Sequence, residues 1–319
     1  MSDIGVKISV VMAVYNTDKY LNDAIRSILG QTFSDFEFII INDASTDDSL
    51  KIINFFASKD NRIIIINNST NKGVASVRNA GLKIAKGKYI AIFDSDDWSF
   101  PDRLEKQFTF LEENQDIFLV GSGALNIDSN GAVRTVHRPI TDPKLIETIL
   151  ATRCCIYHPT IFFRNTHNIF YREKAYACED YDLYLRLLTQ GKKLSNLPGA
   201  LIKYRIHESS VSKTSAGKQT LFAKKILDFY KQRLEKQSDE YDSFDPETLK
   251  SLGLETLDNK KIVGAQIEAS FKLNNFKKTR LLCKEYFKLE GVFNKYTVYF
   301  VSSFLSKKTI NFLRYIFFS

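Results

Sequence analysis

The segment Asp94-Ser95-Asp96-Asp97 places three carboxylates within four residues, directly after the apolar run Tyr89 to Phe93. Like charges packed this closely repel one another, and the cost rises where a buried strand ends. A divalent cation is one way to relieve it. Mg2+ or Mn2+ takes one or two carboxylates and completes its shell with phosphate oxygens, so such a loop could grip a nucleotide diphosphate. The plainer alternative is an Asp-rich turn leading into a helix capped by Ser99 ahead of Pro101. A second acidic pair, Glu179-Asp180, opens the helix-like stretch Glu179 to Leu188. A partly buried carboxylate at a helix start can gain proton affinity over free Asp, which suits a general base; the same acids could also serve only the helix dipole. Asp182 stands four residues before Arg186, the spacing of an ordinary helical ion pair. Asp47 and Asp48 precede a helix at Ser49 and most simply complement its dipole. His207 follows the last apolar run, where an imidazole could complete a metal's shell, donate to phosphate, or simply be structural.

Such groups need a scaffold that delivers them to one place. Ile8 to Val14 reads as a buried strand because it is short, β-branched and nearly continuous in apolar residues. Tyr20, Leu21, Ala24, Ile25, Ile28 and Leu29 then recur at helical spacing. Strands follow at Phe36 to Ile41, Ile63 to Ile66 and Tyr89 to Phe93, with helices at Leu50 to Phe56 and Val74 to Ala85 between them. This alternation predicts an α/β fold with right-handed crossovers and a mostly parallel sheet. Ligands of such sheets sit beyond the carboxyl ends of the strands, where Tyr15-Asn16, Asn42-Asp43 and the acidic loop all fall. Past Pro101 the order changes. A helix through Leu104, Phe108 and Leu111 leads to strand-like pieces around Asn130-Gly131, a helix at Leu145 to Leu150, and strands at Thr160 to Phe163 and Leu201 to Ile206. Ser209 to Gly217 reads as a linker, and helix is expected almost to the end.

Four segments in order carry a resemblance: Val11-Met12-Ala13-Val14-Tyr15-Asn16, Ile41-Asn42-Asp43-Ala44-Ser45-Thr46-Asp47, Asn71 to Gly81, and Asp94-Ser95-Asp96-Asp97-Trp98. Together they resemble the signature of the family 2 glycosyltransferases of GT-A fold, over about Lys7 to Ser212. The resemblance implies inverting, metal-dependent transfer of a hexose or N-acetylhexosamine from a nucleotide sugar, expected to be a UDP-sugar, to an acceptor hydroxyl. It implies that Ala13 and Tyr15 line the nucleotide pocket, Asp43 hydrogen-bonds the base, and Arg78 contacts the base or diphosphate. Asp94, Ser95 and Asp96 then form the Asp-x-Asp motif on the nucleotide sugar, with Asp96 a direct ligand of Mn2+ or Mg2+, Asp94 beside it, and His207 completing the shell from a Tyr-Arg-x-His stretch. Asp180 takes the role of catalytic base, with Glu179 orienting it or binding acceptor, and His158 and Asp97 are further candidates on the acceptor side. Asn42 and Ala44 stand where the family more often has Asp and Gly. The expected division is a catalytic GT-A domain over 1–215 and a helical region over 216–319.

Charge separates these two parts. Residues 216–319 carry 19 Lys and Arg against 12 Asp and Glu, a net of +7 out of +8 for the chain. From Gly291 to Ser319 there is no acidic residue, and four basic residues are interleaved with nine Phe and Tyr. That pattern is expected either to lie on an anionic membrane surface or to form a packed helical subdomain with a basic face. Nucleic acid is not expected as a partner, because the sheet edge is acidic and no recognition motif occurs. A processive synthase is disfavoured by the missing Gln-x-x-Arg-Trp motif and by the lack of a multi-span channel. A nucleotide-sugar-binding protein without turnover would share the first motifs, but the intact Asp94, Asp96 and Asp180 favour turnover. The partner expected beside the donor is a glycan or lipid-linked glycan of capsule or lipopolysaccharide assembly. No basic leader precedes an apolar segment and the first apolar run is too short to span a bilayer, so the expected location is the cytoplasm, with peripheral contact to the inner membrane through the C-terminal region. Cys154, Cys155, Cys178 and Cys283 lack metal or disulfide spacing and are expected as free thiols.

Overall fold

The computed structural model describes residues 5–207, 216–250, 267, 271, 276–290, 296–302 and 304. Two compact units divide the chain, Met1–Leu249 and Lys250–Ser319.

In the first unit, β1 (Ile8–Val14) and β2 (Phe36–Asn42) are buried on both faces, as their nearly unbroken apolar sequences require. With β3 (Ile63–Asn67) and β4 (Tyr89–Asp94) they form a parallel core ordered β3-β2-β1-β4. The remaining strands are β5 (Trp98–Ser99), β6 (Ile117–Ile127), β7 (Val133–His137), β8 (Phe162–Arg164) and β9 (Lys193–Arg205). They extend the sheet as β4-β8-β6-β9-β5, with β7 added to β6. β8 runs antiparallel to both β4 and β6, while β6 and β9 pair in parallel. The sheet is therefore mixed beyond β4, because β8 enters it from a loop rather than a crossover helix.

Alternating side chains sort into two cores, one on each sheet face. On one face Val10, Met12, Phe38, Ile40, Ala91 and Phe93 meet α1 (Asp18–Leu29), α2 (Ser49–Ala57) and α4 (Arg103–Glu113). On the other, Val11, Ile39, Ile41, Ile90 and Ile92 meet α3 (Val74–Ile84), α5 (Pro143–Leu150) and α6 (Glu179–Thr189). Gly81 permits the closest approach of α3: a Cβ there would lie 2.6 Å from Val11 Cγ1 and 2.9 Å from Ile41 Cδ1.

α7 (Ala216–Lys236) contributes Phe222, Ile226, Phe229 and Tyr230 to the α6 side of this core. Its packing therefore lies with the first unit, whereas the sequence reading begins the C-terminal region at 216. A buried ionic group fastens it. Asp182 of α6 accepts from Arg186 Nε at 2.7 Å, and its other oxygen lies 3.8 Å from Arg172 Nη1 and 3.9 Å from Arg233 Nη1. Asp239 pairs with both Arg172 and Arg233. The helical spacing of Asp182 and Arg186 is thus an ion pair, as expected.

The strand-like pieces expected around Asn130-Gly131 are a β6–β7 hairpin whose turn is held by Asp128 Oδ1, accepting from the N–H groups of Asn130 and Ala132. Three other segments depart from the sequence expectation. The strand expected at Thr160 to Phe163 is a 3-10 turn, His158–Thr160, followed by β8; Pro159 in that turn has no N–H to give a ladder. β9 starts at Lys193, eight residues before the expected strand, and the polar stretch through Pro198 and Gly199 crosses register shifts opposite Ser122 to Ala124. β5 is two residues long, too short for any periodicity.

A short α8 (Glu247–Lys250) ends the first unit in sequence. In the second unit, α9 (Phe276–Glu290) and α10 (Tyr296–Ser302) pack Leu282, Cys283 and Tyr296 around Ile267. The expected linker and most of the basic aromatic tail lie outside the described residues. Among the described residues no helix is long and apolar enough to cross a membrane, and all four cysteines are free.

Candidate active site

The parallel core brings three strand ends together. Val14 pairs with Asn42 on one side of β1, and Ala13 pairs with Asp94 on the other. Beyond them the loops knit: Asn16, at φ 51°, accepts the Thr46 N–H at 2.8 Å and donates its own N–H to Ser45 Oγ at 3.1 Å. Asn tolerates that left-handed backbone; Ala44 at φ 58° does so at a steric cost that glycine would not carry. Asp47 accepts N–H groups of Asp18 and Ser49, so it organises the starts of both helices.

Tyr15 is half exposed at the rim. Asp43, by contrast, is buried, and its carboxylate is engaged by Asn68 Nδ2 at 2.8 Å and by the N–H groups of Lys72 and Gly73 at 3.0–3.1 Å. In this arrangement it shapes the glycine turn that launches α3.

The acidic loop is compensated mainly from within the protein. Arg78 reaches from α3 with only 7% of its side chain exposed and donates to Asp94 Oδ1 at 2.8 Å and Glu179 Oε1 at 3.0 Å. Burial lowers the proton affinity of Arg78, but Asp94, Tyr171 and Glu179 outweigh it and hold the guanidinium charged. Asp97 is 1% exposed; Oδ1 accepts the Arg205 N–H at 2.8 Å and Oδ2 has no hydrogen-bond partner. Burial, then Asp96 and Asp94, push its carboxyl well above the usual carboxylate range, which favours the neutral acid. Arg103 lies wholly buried below, donating to the Ile92 carbonyl at 2.9 Å, and burial lowers it to about 9 against the pull of Asp97 and Asp94.

Asp96 is the carboxylate left with a ligand-like partner: its Oδ2 lies 2.8 Å from His207 Nε2. Arg205 locks this loop by donating Nε to the Asp96 carbonyl at 2.8 Å while its guanidinium covers the Tyr20 ring at 4.5 Å. Ser95 is buried and takes a hydrogen bond from Thr17 Oγ1 at 3.0 Å. Among the described residues no group of three or more His, Cys, Asp and Glu is placed to hold a metal. The donor set fits a divalent ion in one way, with Asp96 and His207 as protein ligands and phosphate oxygens or water for the rest, the usual economy of Mg2+ sites.

Across from this loop, the first turn of α6 presents Glu179 to Arg78 and leaves Asp180 partly exposed. Asp180 Oδ1 accepts the Tyr181 N–H at 2.7 Å. Burial, and next the Glu179 charge, push its carboxyl up to about 7. Ala177 precedes this turn at φ 56°, a strained bend that aims the helix start.

Two sequence candidates fall elsewhere. His158 and Asp97 were expected on the acceptor side, yet both are internal: His158 is 8% exposed with each ring nitrogen engaged by a tyrosine hydroxyl. Two arginines that the sequence reading passed over matter instead. Arg205 adjoins the singled-out His207, so the Tyr-Arg-x-His stretch carried a signal for it; a buried Arg103 has no sequence pattern to find.

Residues 9–186 match the profile of glycosyl transferase family 2. An uncharacterized glycosyltransferase of Methanocaldococcus jannaschii is 38% identical over 221 residues, covering 68% of this chain and 76% of its own. The O-antigen biosynthesis glycosyltransferase WbnJ of Escherichia coli is 35% identical over 234 residues, covering 71% and 90%. Among solved structures, residues 1–349 of Staphylococcus aureus TarS in complex with UDP-GlcNAc superpose with a TM-score of 0.56 at 20% identity, covering 93% of this chain and 91% of that one. The mannosyltransferase PcManGT of Pyrobaculum calidifontis, in complex with GDP-Man and Mn2+, gives 0.57 at 13% identity, covering 98% and 87%. At these identities the structural likeness is one of fold.

Proposed function

The chain belongs to glycosyl transferase family 2, and on that premise we propose that it transfers a hexose or N-acetylhexosamine, with inversion, from a UDP-sugar to a hydroxyl of a glycan or lipid-linked glycan. The observation that carries this reading is the bridge Asp94–Arg78–Glu179, which ties the donor-side loop to the helix start that holds Asp180. Inversion needs one base facing the anomeric carbon opposite the departing diphosphate. Asp180 supplies it: with a proton affinity near neutrality, it is ionised often enough to accept the acceptor's proton and basic enough to hold it. Proton transfer accompanies attack of the acceptor oxygen on the anomeric carbon, and the bond to the diphosphate breaks on the opposite face. Arg78 keeps Glu179 and Asp94 in place during this step. Asp96 and His207 would hold Mn2+ or Mg2+, whose charge would stabilise the departing diphosphate. The O-antigen relative supports a role in surface-glycan assembly, and the TarS complex with UDP-GlcNAc and the PcManGT complex with GDP-Man support a nucleotide-sugar donor. The basic C-terminal region suits contact with an anionic membrane, where lipid-linked acceptors reside.

The test is release of UDP from a panel of UDP-hexoses, with Mn2+ and candidate acceptors. Asp180→Asn should abolish transfer and leave UDP affinity within about twofold, because the base contributes to chemistry rather than donor binding. Full transfer by that variant removes the base assignment.

A further inference from the structure

His158 opens the 3-10 turn His158–Thr160 just ahead of β8 and meets α6 through Tyr184. Its Nδ1 is 2.8 Å from the Tyr184 hydroxyl and its Nε2 is 3.0 Å from the Tyr171 hydroxyl. All three side chains are buried, with Tyr171 3% and Tyr184 0% exposed. A neutral imidazole has one donor and one acceptor nitrogen, and two hydroxyls can supply the opposite role at each, so both ring nitrogens are satisfied without a net charge. Burial and the nearby Arg78 charge keep the ring neutral.

Each tyrosine leads to the reacting end of the site. Tyr184 lies four residues after Asp180, one turn along the same face of α6. Tyr171 holds its ring 5.7 Å from the Arg78 guanidinium, and Asn79 fixes its backbone by accepting the Tyr171 N–H at 2.7 Å and donating to its carbonyl at 2.9 Å. Arg78 in turn bridges Glu179 and Asp94. One imidazole thus joins the 3-10 turn, the loop at 171 and the base helix.

We propose that His158 is a positioning residue for glycosyl transfer, its ring holding Tyr184 under Asp180 and Tyr171 under Arg78. The inference rests on the reading of Asp180 as the base. It places no substrate on His158. A displaced Tyr184 lets the first turn of α6 shift relative to the acceptor, whereas among the described residues the hydrogen bonds of this imidazole go to Tyr184 and Tyr171 rather than to the nucleotide loops after β1 and β2. Loss of the ring should therefore reduce turnover and spare donor affinity. Small misplacements of a base lower rates steeply, so a tenfold to hundredfold loss of kcat is the expected scale.

The experiment compares His158→Phe, Tyr184→Phe, Tyr171→Phe and the double variant His158→Phe/Tyr184→Phe in UDP-release assays, with UDP affinity measured by calorimetry. Expected are a kcat reduced about tenfold or more in His158→Phe, smaller losses in each tyrosine variant, and UDP affinity within about twofold throughout. The double variant should be no worse than His158→Phe, since the bond is already absent. His158→Gln, which can still reach one hydroxyl, should recover part of the rate. Unchanged kcat, multiplying losses in the double variant, or UDP affinity falling in step with kcat would overturn the proposal. Each tyrosine variant removes a single oxygen, so Tyr184→Phe and Tyr171→Phe decide the matter if His158→Phe does not fold: wild-type kcat in both overturns it. Asp180→Asn, run alongside, separates the two readings. If it transfers normally the base assignment fails; if it is inactive while the His158 and tyrosine variants are unimpaired, only the positioning role falls.

Discussion

The pH dependence of transfer is the sharpest consequence of the α6 geometry. Asp180 titrates at about 7 rather than near 3.8 because of its burial and then the adjacent Glu179. The active form is the carboxylate, so the rate rises with pH. At pH 6 about a tenth of the base is ionised and at pH 8 about nine tenths, which predicts a roughly tenfold rise in kcat between them, where an ordinary Asp would give none. Glu179→Gln removes the neighbouring negative charge and should move the profile towards acid. The assay is UDP release at saturating donor and metal, read every half unit. The linked stability change has a definite sign. A folded-state value raised above the unfolded one means the folded protein holds more protons, so the contribution is fully present below about 3.8 and lost as pH rises through about 7. Asp180→Asn should therefore be more stable than wild type at pH 8, by as much as roughly 4 kcal/mol, with the difference vanishing in acid. A flat rate profile from pH 6 to 8, or a break that Glu179→Gln leaves in place, would refute the reasoning.

Arg78→Met would leave Glu179 and Asp94 without their shared cation, and denaturant unfolding should register a loss of about 3–5 kcal/mol together with loss of transfer. Asp96→Ala should abolish the Mn2+-dependent part of UDP affinity by calorimetry; an unchanged Mn2+ dependence contradicts the two-ligand site. Ala44→Gly relieves a left-handed alanine and should raise stability by about 0.5–1 kcal/mol in denaturant melts, after the entropy gained by the unfolded chain.

The parallel half of the fold was legible because β1, β2 and β4 are apolar runs buried on both faces, separated by helices with a clean stripe. The site residues on those strand ends inherit that legibility: once β1, β2 and β4 are placed, Ala13, Asn42 and Asp94 must lie side by side. Beyond β4 local pattern fades. β5 is two residues long, β8 three, and the polar middle of β9 carries no alternation, since long-range pairing rather than sequence period decides them. The three aspartates are an electrostatic problem that the sequence shows, with a divalent cation as the favoured relief and an Asp-rich helix-capping turn as the plainer alternative. In the structure Arg78 bonds Asp94, burial pushes the Asp97 carboxyl upward and Arg103 lies buried beside the loop, and none of these placements is visible from spacing. His158 is an acceptor-side candidate by sequence because histidine beside proline carries no burial signal; its two tyrosine partners come from 13 and 26 residues away.

The ionic group around Asp182 has a practical meaning for chimaeras. The family profile ends at Arg186, yet Arg233 of α7 faces Asp182, Asp239 pairs with both Arg172 and Arg233, and Phe222 and Phe229 join the core that α6 helps to form. Exchanging sugar specificity by grafting only residues 9–186 would uncover an oily flank and take from Arg172 its partner Asp239. A transplant that behaves as an independent module has to carry its own residues through about Leu249.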